Sequence, residues 1–134
     1  MVQLVDFSKS TVNSFSQSLA VPVAAAPSST LLTNFGLFVT QGGNVLLNAT
    51  IGMQSVGGSP ILMFILARNG TPIFTIQTQI SSAGDFEDVT FSYVDTNIPT
   101  GYYSYTMSVS LVNSAAVNAA NVVGPADFSG LSMG

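Results

Sequence analysis

Polar and apolar residues alternate along most of this chain, and that period of two narrows the possible folds more than any other property of the sequence. Successive side chains of a β-strand point to opposite faces, so strict alternation marks a strand with one face buried and one face wet. Val45, Leu47, Ala49, Ile51 and Met53 fall on one side of such a stretch, with Asn48, Thr50, Gly52 and Gln54 on the other. Tyr103, Tyr105, Met107, Val109 and Leu111 oppose Tyr102, Ser104, Thr106, Ser108 and Ser110 in the same way. Leu31, Phe35, Leu37 and Val39 lie opposite Asn34, Gly36 and Thr40, and Val89, Phe91 and Tyr93 lie opposite Thr90 and Ser92. A further strand is expected from Phe15 to Val23, where Gln17, Leu19 and Val21 alternate with Ser16, Ser18, Ala20 and Pro22.

The segment from Ile61 to Ala67 departs from alternation by being apolar throughout, as expected of a strand covered on both faces, one by the core and one by a neighbouring subunit. Asn69-Gly70 follows it, and both residues accept the positive φ of a type I′ turn, so a hairpin is expected over about residues 61–80, returning through Phe74, Ile76 and Ile80. Turns are expected again at Ser81-Ser82-Ala83-Gly84 and Pro99-Thr100-Gly101, and a last stretch, Val117 to Phe128, contains the breakers Gly124-Pro125. No window shows a helical period, and turn signals recur at the short spacing of sandwiches and barrels. The fold expected is an all-β jelly-roll sandwich of eight or nine antiparallel strands over residues 15–134, preceded by a short N-terminal arm, residues 1–14.

Only two residues are basic, Lys9 and Arg68, and six are acidic, in a chain of 134 residues that is 47% hydrophobic and has no histidine, cysteine or tryptophan. A net charge of −4 without clustered cations argues against nucleic acid, which is bound by displacing counterions from phosphate. The seven-residue run Ile61–Ala67 is too short for a membrane helix, which needs about 20 apolar residues. Leu19 to Ala26 has the small residues of a leader cleavage site, but Pro22 interrupts it and polar residues precede it, so no cleaved leader is expected. A surface of Ser, Thr, Asn, Gln and Gly hydrates adequately and repels little. Burying it against a copy of itself costs far less than burying charges, and self-assembly is the expected activity.

Candidate chemistry is sparse. Without histidine, general base catalysis would need paired carboxylates, and Asp85 and Glu87 point away from Asp88 along a strand start, so no catalytic residue and no cofactor is expected. The same three carboxylates with Asp95 match no calcium loop, which leaves a weak cation site as the minor reading and a solvated strand end as the major one. Asp95, followed by Thr96 and a proline corner, reads as a turn-capping residue. Tyr93, Tyr102, Tyr103 and Tyr105 could form a sugar-stacking platform, but Tyr103 and Tyr105 share the apolar face of their strand and are expected in the core or a subunit interface together with Leu62, Phe64 and Leu66. Replacing Tyr105 by Asp should then cost several kcal/mol. The arm holds Val2, Leu4, Val5 and Phe7, and is expected to add to a neighbour's sheet edge, a contact that propagates as an open fibre.

The run Phe91-Ser92-Tyr93-Val94-Asp95-Thr96, the following Ile98-Pro99-Thr100-Gly101-Tyr102-Tyr103-Ser104-Tyr105-Thr106, and the upstream Arg68-Asn69-Gly70-Thr71-Pro72-Ile73 resemble the tumour-necrosis-factor-like jelly roll of bacterial spore-surface proteins. These are the exosporium and endospore-appendage proteins of the Bacillus cereus group, and the resemblance covers about residues 30–128. It implies a homotrimer without enzymatic activity, laid down on the spore surface from the mother-cell cytosol, with other spore-surface proteins as anchor or tip. The chain has neither a Gly-X-Y stalk nor a cysteine-bearing connector, so a fibre would be held by non-covalent docking of the arm. A carbohydrate- or receptor-binding module at a fibre tip is the alternative, since jelly rolls carry lectins as readily as coats.

Overall fold

Nine strands form among the described residues of the computed structural model, 3–114 and 117–134. They are β1 (Leu4–Asn13), β2 (Val21–Pro22), β3 (Thr30–Val39), β4 (Gly43–Gly57), β5 (Ile61–Arg68), β6 (Thr71–Gln79), β7 (Phe86–Ile98), β8 (Gly101–Leu111) and β9 (Ala119–Met133). One sheet has the order β1-β9-β4-β7, with β2 also on β9, and the other the order β3-β8-β5-β6. The tip hairpin β5/β6 is enclosed by the pairs β4/β7, β3/β8 and β1/β9, all antiparallel. Such nested pairing is a long hairpin rolled onto itself, with alternate pairs falling in opposite sheets. This is the jelly roll expected from the alternation.

The core lies between the sheets and is filled by the residues the period of two selected. Val45, Leu47, Ala49, Ile51 and Met53 from one sheet meet Leu62, Phe64, Leu66, Tyr105, Met107 and Val109 from the other, all buried. Phe35 packs on Phe128 across the gap, ring centroids 4.7 Å apart, while Phe74 stacks on Tyr93 at 4.7 Å where β6 and β7 close the opposite side. The β5–β6 turn has φ 50° at Asn69 and 83° at Gly70, the left-handed pair the dipeptide requires. Asn69 Oδ1 also accepts from the Ser104 amide at 2.8 Å, tying the turn to β8.

The structure corrects several expectations. Residues 15–20 are not strand. They turn at Gln17, φ 56°, and only Val21–Pro22 pairs, with Val122 and Asn121 of β9. Ser18 and Leu19 donate their amides to the Val123 carbonyl, so this segment satisfies the edge of β9 just where β1 leaves it. Leu31 is exposed rather than buried, because a register shift between Leu31 and Thr33 turns it to the opposite face from Phe35. In β5, Leu62, Phe64 and Leu66 fill the core, and Ile61, Met63 and Ile65 face outward, half-buried.

Gly124-Pro125 does not end the last strand. Ile51 pairs with Ala126 and Met53 with Val122, so three residues of β9 bulge opposite Gly52 and the strand continues to Met133 as the centre of its sheet. The residues expected as an arm also join that strand: Leu4, Val5 and Phe7 lie in β1, which pairs with β9 of the same chain from Leu4↔Met133 to Asn13↔Ala126. Val2 lies outside the described residues.

Candidate functional site

Two kinds of feature stand out: a buried polar cluster between the sheets, and an outer face without charge. The cluster is built where β5, β7 and β8 reach the same end of the sandwich. Arg68 follows the inward positions 62, 64 and 66 of β5 and pairs with Tyr105 of β8, while Asp95 points inward from β7 opposite Val45. Asp95 Oδ2 accepts from Arg68 Nη1 at 2.5 Å and from the Tyr105 hydroxyl at 2.9 Å. Arg68 Cζ lies 5.8 Å from the centre of the Tyr103 ring, and Tyr103 itself donates to the Pro99 carbonyl at 2.8 Å. Asp95 is 5% exposed and Tyr105 fully buried. Asp95 is therefore no turn cap but a bolt between sheets, correcting the sequence expectation; a carboxylate at a buried-phase position of the β7 alternation is the signal that points to it.

Arg68 and Tyr105 hold their protons. The hydrogen bond to Asp95 raises the Arg68 pKa despite the opposing effect of burial, and burial, reinforced by the Asp95 carboxylate, raises that of the Tyr105 hydroxyl well above the ordinary phenolic value. Because the folded value for Tyr105 exceeds the unfolded one of about 10, its contribution to stability is complete below pH ~10 and is lost as pH rises beyond it. Chemical denaturation should therefore show stability falling by up to about 1.4 kcal/mol per pH unit above 10 on this group's account. In Tyr105→Phe that component should vanish, at a cost of about 1 kcal/mol at neutral pH from the lost hydrogen bond. An unchanged alkaline slope would show that Tyr105 does not titrate differently on folding.

Of the other residues singled out in the sequence, Leu62, Phe64 and Leu66 lie in this chain's own core with Tyr105, and Tyr103 is half-buried beside them. Asp85, Glu87 and Asp88 are exposed at and just before the start of β7 and do not gather with Asp95, which lies inside near the far end of the same strand. Among the described residues no group of three or more acidic side chains is placed to hold a metal ion.

Charge is distributed unevenly over the outside. Lys9 and Asp127 form a pair at 3.7 Å on the outer face of the β1-β9-β4-β7 sheet, and Asp6 Oδ2 accepts the amide of Phe38 at 2.9 Å on the edge of β3. The outward positions of the β3-β8-β5-β6 sheet carry no charged side chain among the described residues: Ser108 and Ser110 of β8 and Thr75, Gln77 and Gln79 of β6 flank the Ile61, Met63 and Ile65 stripe of β5, with Ser104 and Thr106 further along β8. At one end of this face Phe38 pairs with Tyr102, 41% and 70% exposed. The Tyr102 ring covers Gly36 so closely that a Cβ there would overlap it.

No family model and no curated protein matches the chain. Among solved structures it is similar to a chain in the structure of infectious bursal disease virus, Gx strain, with a TM-score of 0.64 and 12% identity over 94% of this chain and 31% of the viral one. A second match is to dimeric latent PorU from Porphyromonas gingivalis, TM-score 0.44 and 17% identity, covering 97% of this chain and 13% of that one. The chain thus spans less than a third of either structure. The viral likeness supports the two-sheet jelly roll seen here.

Proposed function

We propose that this chain is a structural, non-enzymatic subunit that assembles with copies of itself, as the resemblance to spore-surface jelly rolls implies, into a trimer-based fibre or layer. The observation that carries this reading is the uncharged outer face of the β3-β8-β5-β6 sheet with its half-buried stripe Ile61, Met63 and Ile65. Charges usually supply about a quarter of a soluble domain and keep its surfaces apart. A face of hydroxyls, amides and aliphatic side chains can be buried against another without stranding a charge. Linkage through residues 1–14 takes a specific form on this reading. β1 would exchange, pairing with β9 of the next copy in the register it has in its own chain.

The test is the full chain purified without denaturant and viewed by negative-stain electron microscopy with light scattering. Regular filaments or sheets are the expected result; a strictly monomeric particle at every concentration would defeat the reading. Lys9→Cys with Ser129→Cys, directly opposite in the β1–β9 register, should lock β1 onto its own chain when oxidised. Filament formation should then fall at least tenfold and return on reduction. Filaments unaffected by the lock would show that β1 does not exchange.

The exposed pair Phe38 and Tyr102 favours the second reading, a glycan-binding module, because two neighbouring exposed rings offer the apolar faces on which sugars stack. A discrete particle with saturable glycan binding, lost in Tyr102→Ala, would select it.

A further inference from the structure

The outer face of the β1-β9-β4-β7 sheet carries an apolar line that no described part of this chain covers. Phe7 pairs with Leu131, Leu131 with Leu46, and Leu46 with Val94, so four apolar side chains on four adjacent strands stand in one row. With strands about 4.8 Å apart the row is about 14 Å long. Phe7 is 56% and Val94 43% exposed, and Leu46 and Leu131 are partly exposed between them. The next row along the strands is Lys9, Ser129, Asn48 and Ser92, wholly polar. Core packing does not account for the apolar row, because these side chains point away from the core.

We infer that this row is the contact between two copies of the chain packed sheet to sheet, related by a two-fold axis that runs parallel to the strands between β9 and β4. Three observations favour a second copy as the occupant. Such an axis lays Phe7 over the partner's Val94 and Leu131 over the partner's Leu46, so the largest side chain meets the smallest and the two middle ones match. It lays Lys9 over the partner's Ser92 and Ser129 over the partner's Asn48, so no charges of like sign meet. The two charges nearest the row on this face, Lys9 and Asp127, already neutralise each other, and Asp6, next to Phe7, is turned toward β3, where it accepts the Phe38 amide. Asp88, on the same face, is six residues from Val94 along β7, about 20 Å away. Packing of one twisted sheet on another with strands roughly aligned is the ordinary geometry of a sandwich, here formed between chains.

The inference rests on the self-assembly reading for its partner and is tested separately from it. Sedimentation equilibrium of the full chain should show association, and Val94→Lys, at a wet position that leaves the core intact, should weaken it at least tenfold. Ser82→Lys, exposed in the turn between β6 and β7 and on the outer face of neither sheet, should leave association unchanged. Phe7→Lys should also dissociate the pair. Mixing the Phe7→Lys chain with a Val94→Asp chain should restore association, because the ammonium introduced on one copy then meets the carboxylate introduced on the other. Circular dichroism melts confirm that each variant is folded. Association that survives Val94→Lys and Phe7→Lys overturns the proposed face while leaving self-assembly standing; a native chain that sediments as a monomer throughout overturns both.

Discussion

Substituting Gly52 by alanine is expected to remove about 3–5 kcal/mol of stability, enough to lower the melting temperature by about 10–20 °C in a domain of this size. A Cβ at this position would overlap the Gly124 carbonyl oxygen and lie 2.5 Å from its carbon. Both are backbone atoms of the three-residue bulge in β9, so no side-chain rotation can relieve the overlap. The bulge cannot easily retreat either, since Ser18 and Leu19 hold the Val123 carbonyl and Val21 pairs with Val122 on its far side. Gly42→Ala is the comparison. That residue has φ 68° with nothing within 4 Å of its Cβ position, so only the left-handed backbone is penalised, by about 1–2 kcal/mol. Urea denaturation of the two variants separates the cases. Equal losses would mean that the bulge moves aside and that the contact at Gly52 does not control the fold.

Asp95→Ala is expected to cost about 3 kcal/mol, toward the low end of what removing one member of a buried pair costs. The truncation leaves the Tyr105 hydroxyl buried without its acceptor and the Arg68 guanidinium without its carboxylate. Arg68, 30% exposed at its side chain, recovers part of the loss by hydration. Replacing the pair together, Arg68→Met with Asp95→Leu, in a Tyr105→Phe background that leaves no buried hydroxyl without an acceptor, should recover most of the rest, because it removes both charges instead of stranding one. A denaturant-based cycle over the two sites gives the coupling directly. Asp95→Ala within about 0.5 kcal/mol of the native chain would show that the cluster contributes nothing measurable to joining the sheets. A domain without cysteine has no disulfide available for that task, and two of its eight charged residues are used here.

Legibility in the sequence follows how local each constraint is. The core faces of β4 and β8 are readable because an uninterrupted alternation fixes which side each residue takes. The β5–β6 hairpin is readable because Asn69-Gly70 carries its own turn geometry. Phe15 to Val23 misleads because alternation there is real, yet β1 and β9 already satisfy one another over most of their length and leave only the end of β9 for it to pair with. Asp95 is misleading because a nearby proline corner suggests a turn. Its partner Arg68 is 27 residues away in the chain and meets it only across the sandwich.

Local sequence is enough to make this protein a β-sandwich with a charge-poor surface, since side-chain period, turn residues and composition act within a few positions of one another. Which strands are neighbours is settled only when the whole chain is assembled. So are the seating of the Gly124-Pro125 bulge on Gly52, the convergence of Arg68, Asp95 and Tyr105, and the exposed row of Phe7, Leu131, Leu46 and Val94. Those are properties of register between strands far apart in the chain. A shift of one residue in any pairing would turn the same side chains to the opposite face, so no local pattern contains them.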